Sequence, residues 1–217
     1  MVAWNKVTKY GNGHVLRAFE VAAVQGHNIG LVANANAPGW ELAEAAKELF
    51  VAVNMELEVM DSLSIMSEDE HFLWVLPKCR CGYLGSRRGN CYCSVEEINY
   101  YLRGVVDFFL RKTAIRIAAS EVMFGDLLNM PGEDISKAVE RVVKARTVKM
   151  ERTRLSKMPK DQLALLSTAY DQFIWQPRDV TSVLSVARSI SMLEGKTEIG
   201  IPQLAEAIQY HTRNILV

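Results

Sequence analysis

The run Gly11 to Trp40, GNGHVLRAFEVAAVQGHNIGLVANANAPGW, constrains the chain more than any other. Val15, Leu16, Phe19, Ala22 and Ala23 recur at helical spacing over His14 to Ala23, and Gly26 stops that helix. Ile29 to Val32 is an apolar run with the length of a short buried strand, and a second helix is predicted from about Trp40 to Val51 with Leu42, Ala45, Ala46 and Leu49 on one face. The turn between that strand and that helix is where a phosphate-binding loop would stand. Such a loop has the order G-x-x-x-x-G-K-[ST]: glycines let backbone N–H groups approach the phosphates, the lysine reaches the β/γ-phosphates and the hydroxyl holds Mg²⁺. Here the corresponding residues are Ala33, Asn34, Ala35, Asn36, Ala37, Pro38, Gly39 and Trp40, so Gly39 takes the lysine position and Trp40 the hydroxyl position.

Downstream, Asn54 to Met60 alternates Met55, Leu57 and Val59 with Glu56 and Glu58, the pattern of a half-buried strand. An acidic turn, Ser67 to Glu70, precedes a third strand at Phe72 to Leu76. A cysteine-containing loop runs from Lys78 to Cys93, and Ser94 with Glu97 forms a capping box for a helix whose apolar stripe is Ile98, Tyr101, Leu102 and Val105. Thr113 to Ala119 fits a fourth strand. Past Met130-Pro131-Gly132 the periodicity is helical, with helices expected at about Asp134 to Leu155, Pro159 to Ile174, Pro177 to Glu194 and Ile201 to Asn214, three prolines standing near N-termini where they are tolerated. The expected organisation is a small P-loop-like α/β core over residues 1–130, holding the four-cysteine loop at 79–93, and an all-helical domain over 131–217. Leu163, Leu166, Val183, Val186, Ile190, Leu204 and Ile208 should be buried where the helices pack on the core.

All four cysteines fall in one segment, as Cys79-x-Cys81 and Cys91-x-Cys93. Two close pairs around a glycine-rich turn favour tetrahedral Zn²⁺ ligation, with reduced thiols or disulfides as the alternative. Gly82, Gly85 and Gly89 let the loop fold back, and Lys78, Arg80, Arg87 and Arg88 would offset the net charge of about −2 on a four-thiolate zinc centre. Four thiolates leave no open coordination position, so the role is structural.

With 25 basic and 25 acidic residues in 217, no global field draws the chain to nucleic acid or membrane. No apolar run reaches the roughly 18 residues of a membrane span and MVAWNKVTKY lacks the apolar core of a signal peptide, so a cytoplasmic location is expected. The basic run Lys137, Arg141, Lys144, Arg146, Lys149, Arg152, Arg154, Lys157 and Lys160 wraps around its helix and is interrupted by Glu140 and Glu151, which fits a solvated face better than a nucleic-acid track. His14, His27, His71 and His211 read as core or surface histidines, and Trp40, Trp74 and Trp175 as packing anchors.

The stretches EVAAVQGHNIGLV, CRCGYLGS…CYC and VARSISMLEGKTEIGIPQLAEAIQY resemble the ComM-like branch of the magnesium-chelatase AAA+ family, from Gly11 to the end of the chain. The resemblance implies a P-loop core followed by a helical ATPase lid, with Arg178 at the position of the arginine that senses the γ-phosphate. It also implies a truncated and degenerate member. The Walker A lysine and hydroxyl are Gly39 and Trp40, no acidic pair closes a strand between Asn54 and Leu76, and Glu56, Glu58 and Asp61 are scattered. The sensor asparagine falls at Pro77, and the strand-entry arginine and aspartate become Lys112 and Ala114. The family's preceding Lon-like domain is not among these residues. The function so implied is a non-hydrolysing binding, regulatory or assembly module with ATP and ADP not expected as cofactors. An ATP-binding component with a divergent loop and a zinc-stabilised DNA-binding protein are the alternatives. The partners implied are a second copy of the chain or an AAA+ relative, DNA being the weaker expectation, and no membrane.

Overall fold

A computed structural model describes residues 3–61, 71–129, 132–151 and 153–212. The acidic turn at Ser67 to Glu70, the boundary at Met130-Pro131, Arg152 and the end of the last expected helix lie outside the described residues. Four strands, β1 (Ile29–Val32), β2 (Glu58–Met60), β3 (Phe72–Leu76) and β4 (Ile115–Ala118), form one parallel sheet in the order β2-β3-β1-β4. The helices are α1 (Ala3–Val7), α2 (Gly13–Gln25), α3 (Gly39–Ala52), α4 (Val95–Lys112), α5 (Phe124–Asn129), α6 (Ile135–Arg146), α7 (Lys160–Gln172), α8 (Pro177–Leu193) and α9 (Ile201–His211). The protein is thus α/β with a small sheet and a helical C-terminal part.

β1 is buried along its whole length, as the apolar run Ile29–Val32 requires, and its alternate side chains feed two separate cores. Ile29 and Leu31, with Leu73, Val75 and Ile115, pack on α2 and α3. Val32, with Met60, Phe72, Trp74 and Leu76, packs on Val105 and Phe109 of α4 across the opposite face. At Gly30 the ring of Phe109 comes so close that an added Cβ would lie 2.1 Å from its Cζ. A glycine in the middle of a strand is here the condition for α4 to lie flat on the sheet.

The first core continues into the C-terminal helices, where Val142, Leu166, Val183, Val186, Ile190, Leu204 and Ile208 are buried and Leu163 is half-buried. Polar contacts join the same surfaces. The Arg141 guanidinium pairs with Glu20 of α2 at 2.6 Å and with Glu133 at 2.6 Å. Arg146 donates to the carbonyls of Ala23, Val24 and Val53, the last turn of α2 and the end of α3. Those carbonyls have no helical partner of their own and carry the negative end of two helix dipoles, so one cation satisfies both ends. Two members of the basic run are therefore half-buried and tied to neighbouring helices rather than freely solvated.

Several expected boundaries change. The helix expected from Asp134 to Leu155 stops at Arg146, because Arg146 is tied to α2 and α3 and the Thr147 hydroxyl bonds back to the Lys144 carbonyl. Only Glu58–Met60 of the second strand pairs, since it is an edge strand bonded on one side to β3. Trp40 is not a packing anchor: it is 53% exposed on the outer side of α3, whose buried face carries Leu42, Ala45, Ala46 and Leu49. Helices α1 and α5, short and without clear periodicity, were not legible in the sequence.

His27 is buried in the junction between the α2–β1 turn and α8. Its Nε2–H donates to the Ser189 hydroxyl at 2.8 Å, which in turn donates to Gln25 Oε1 at 3.0 Å. Burial, with a smaller contribution from the charge of His71, lowers its pKa from 6.5 to about 4. The folded protein thus holds this imidazole neutral.

Two predictions follow from this packing. Gly30→Ala should lower the stability to chemical denaturation by about 1–3 kcal/mol, the usual cost of overpacking a core, and an unchanged midpoint would contradict the Gly30–Phe109 contact. Because His27 has a lower pKa folded than unfolded, its stabilising contribution is complete above about pH 6.5 and is lost as the pH falls toward 4. The loss should reach about 3 kcal/mol relative to a His27→Gln variant measured over the same range, with no further divergence below pH 4.

Candidate functional site

In a parallel sheet the crevice for ligands opens at the carboxyl ends of two neighbouring strands whose following helices take opposite faces. β1 and β3 are such a pair, since α3 follows β1 on one face and α4 follows β3 on the other. The residues that leave these strands are the 33–38 turn and the cysteine loop, and they meet in the crevice.

The cysteine loop is anchored at both ends. Cys79 follows β3 and is fully buried, with the Tyr101 hydroxyl of α4 donating to the Pro77 carbonyl at 3.0 Å just before it. Cys93 directly precedes Ser94, whose hydroxyl accepts from Glu97 N–H while Glu97 accepts from Ser94 N–H, so the capping box fixes the last ligand to the start of α4. Between them Gly82 and Gly85 take left-handed conformations that fold the loop back. The four sulfurs lie within 4.8 Å of one another, with Cys79–Cys81 at 3.4 Å, Cys79–Cys91 at 3.6 Å and Cys81–Cys91 at 3.5 Å. A tetrahedron with Zn–S bonds of about 2.3 Å has S–S edges of about 3.8 Å, whereas a disulfide has about 2.05 Å. All four cysteines are free, and the cluster has the size of a four-thiolate metal site. Leu84 N–H also points to Cys79 Sγ at 3.4 Å, the kind of donor that steadies a ligating sulfur.

The thiols differ among themselves. At Cys81 partial burial raises the pKa, but backbone donors at Tyr83 and Tyr92 and the neighbouring thiols outweigh it and bring it down to about 6. At Cys91 a backbone donor at Cys93 lowers the pKa, while burial and the crowding of Cys81 and Cys79 push it up to about 12. A set in which one thiolate forms readily while Cys91 and Cys93 resist charge is the condition that a cation relieves.

Opposite the loop, the 33–38 turn uses its backbone donors within the protein. Ala33 N–H bonds to Leu76 O, Ala35 N–H to Gly82 O at 2.8 Å, Asn36 N–H to its neighbour's Asn34 Oδ1, Ala37 N–H to Asn34 O and Gly39 N–H to Ala37 O. Side chains continue the closure, with Asn36 Nδ2 donating to Ser86 Oγ at 2.8 Å. The buried acid here is Glu121, just beyond β4, whose side chain is 5% exposed. Its Oε1 accepts from Asn34 Nδ2 at 2.9 Å and from Arg87 N–H at 3.0 Å. Arg88 bonds to Val122 O and holds its Nε 3.9 Å from Glu121 Oε2. Although burial raises the carboxyl pKa, the Ser86 side chain, Arg87 N–H and Asn34, with the charge of Arg88, keep it below the usual carboxylate range.

The expected family positions lie elsewhere in the same fold. Gly39 is buried at the start of α3, where an added Cβ would stand 2.7 Å from Ala33 Cβ and 3.1 Å from Val75 Cγ1. Glu56, Glu58 and Asp61 are exposed. The Ala114 and Lys112 carbonyls serve His211 Nδ1 and Asn28 Nδ2. Arg178 is exposed in the first turn of α8 and makes no hydrogen bond or ion pair among the described residues. Its neighbour Asp179 is buried instead, capping α8 through Gln176 N–H and receiving His211 Nε2 at 3.1 Å.

Sequence reading missed Glu121 and Arg116. Glu121 gave one signal, an acid just past an apolar strand at the end of the sheet where ligands bind. Arg116, buried in β4, donates to the His211 carbonyl and to Thr113, and the signal was a charge inside IRIA, which requires a partner.

Residues 132–211 match the family model described as magnesium chelatase, subunit ChlI C-terminal. That segment holds α6 to α9, and the likeness to magnesium chelatase is a likeness of these C-terminal helices. No curated protein matches the chain.

Proposed function

We propose that the protein is a degenerate AAA+ module of the magnesium-chelatase type that does not turn over nucleotide and serves as a binding or assembly module, with a structural zinc centre at Cys79, Cys81, Cys91 and Cys93. Its partner on this reading is a second copy of the chain or an AAA+ relative, and the helices from α6 onward are its counterpart of the ATPase lid. The observation that carries the reading is the environment of Gly39. The position that would supply the phosphate-binding lysine is a backbone contact with Ala33 and Val75 that leaves no room for a methyl group. Phosphoryl transfer depends on lysine, Mg²⁺ and arginine charges around the phosphates, and the turn here has committed the N–H donors of Ala33, Ala35, Asn36 and Ala37 to the protein itself. Arg178 is then an inherited position with no phosphate to sense.

Purified protein should release no phosphate from ATP over many enzyme equivalents, and millimolar ATP or ADP with Mg²⁺ should leave its thermal midpoint unchanged in both wild type and Arg178→Ala. Stabilisation by nucleotide, about 2.7 kcal/mol at a hundredfold excess over Kd, would instead support an ATP-binding component. Multiple turnover abolished by Arg178→Ala would overturn the proposal. Gly39→Lys should destabilise the protein by roughly 1–3 kcal/mol without conferring nucleotide binding.

Protein purified under reducing conditions without added metal or chelator should contain one zinc per chain, and Cys91→Ser or Cys93→Ser should lose most of it. Removal of the metal should lower the thermal midpoint, because the loop has few apolar side chains to offset its ordering entropy. Zinc far below one per chain, with no uptake on titration, would leave free thiols as the account of this cluster.

A further inference from the structure

We propose that the metal-loaded cysteine loop is the ligand this crevice uses, and that Glu121 is the positioning residue through which a thiophilic divalent cation at the four cysteines fixes the 33–38 turn and the exit of β4. The proposal rests on the metal reading given above and extends it from the loop to the strand ends.

The carboxyl ends of β1 and β3 are where a sheet of this order receives a small ligand, and the groups that converge there come from three places in the chain. The turn supplies Ala35 N–H, Asn34 and Asn36; the loop supplies the Gly82 carbonyl, Ser86, Arg87 and Arg88; the exit of β4 supplies Glu121 and Val122. Glu121 bridges the other two. One oxygen accepts from both the turn and the loop, while Arg88 Nε stands 3.9 Å from the other.

A carboxylate this buried is tolerable only while its donors stay in place. Three of its four neighbours, Ser86, Arg87 N–H and Arg88, lie on the loop segment between Cys81 and Cys91, so whatever orders that segment also keeps Glu121 satisfied. The loop carries few apolar side chains, so its order rests on these polar contacts and on its cysteines. Without a cation the thiols crowd one another at 3.4–3.6 Å, and as the loop loosens, Glu121 loses its donors, and Asn34 and Asn36 lose their partners. Loop and strand ends therefore order together. Thiolate ligands select Zn²⁺, Cd²⁺ or Co²⁺ over Mg²⁺ or Ca²⁺, which sets the class of ion.

The test is amide hydrogen exchange on the reduced full chain, stripped with a chelator and then reloaded with Zn²⁺, with uptake counted by competition against a chromophoric chelator. Reloading should slow exchange in 79–93 and also, by roughly tenfold, in 33–39 and 119–123. In Glu121→Gln, zinc uptake and protection of 79–93 should persist while the metal-dependent change at 33–39 largely disappears. Asn36→Ala, which keeps the carboxylate, should give a smaller loss in the same direction. If zinc binds one per chain and exchange at 33–39 and 119–123 is the same with and without it, the coupling is wrong and the metal site stands. If no zinc binds, both fail.

Discussion

β1 is hydrogen-bonded on both edges and buried on both faces, and the rest of the architecture answers to that constraint. A parallel strand cannot turn back on itself, so each connection must cross the sheet. With α2 and α3 covering Ile29 and Leu31 and α4 lying on Gly30 and Val32, both faces of β1 are filled. The 33–38 turn and the cysteine loop are delivered to its carboxyl end by geometry. Their contact follows from the strand order and needs no attraction between the two segments in the sequence.

The C-terminal helices are held to this sheet by apolar burial and by three arginines with different tasks. Arg146 closes the ends of α2 and α3, Arg141 pairs with a nearly buried Glu20, and Arg116 anchors the end of α9 to β4 beside the His211–Asp179 contact. Each binds a group that would otherwise be buried without a partner. Removing any one of them would leave carbonyls or a carboxylate unsatisfied, which costs more than the net worth of the bond itself. The segment that matches the ChlI C-terminal family model is thus integrated with the sheet by its polar groups as well as by Val183, Val186 and Ile190.

The chemistry at the crevice is of one kind. Where a phosphate-binding turn presents N–H groups outward, this turn bonds them inward, and the acid nearest to it is bound by the cysteine loop. The loop is polar and rich in glycine, and its contacts with the turn and with Glu121 are hydrogen bonds rather than apolar packing. That makes the four sulfurs and Glu121 parts of one arrangement, although 28 positions separate Cys93 from Glu121 in the sequence.

Local pattern by itself determined the strands at 29–32 and 72–76, the capping box at Ser94 and Glu97 and the grouping of the cysteines, because each is written within a few consecutive residues. It also indicated most of the buried stripe of α7 to α9, since a helix carries its own periodicity. What lay beyond it was every relation between distant segments. The basic run looked solvated because a sequence cannot tell that Arg141 meets Glu20 or that Arg146 faces the ends of α2 and α3, and Trp40 looked like an anchor because its exposure depends on which side of α3 meets the sheet. Only the tertiary structure decided that Phe109 needs Gly30, that Gly39 is a packing contact and that Glu121 meets the cysteine loop. These depend on strand order, and strand order is fixed by how two faces of one buried strand are filled.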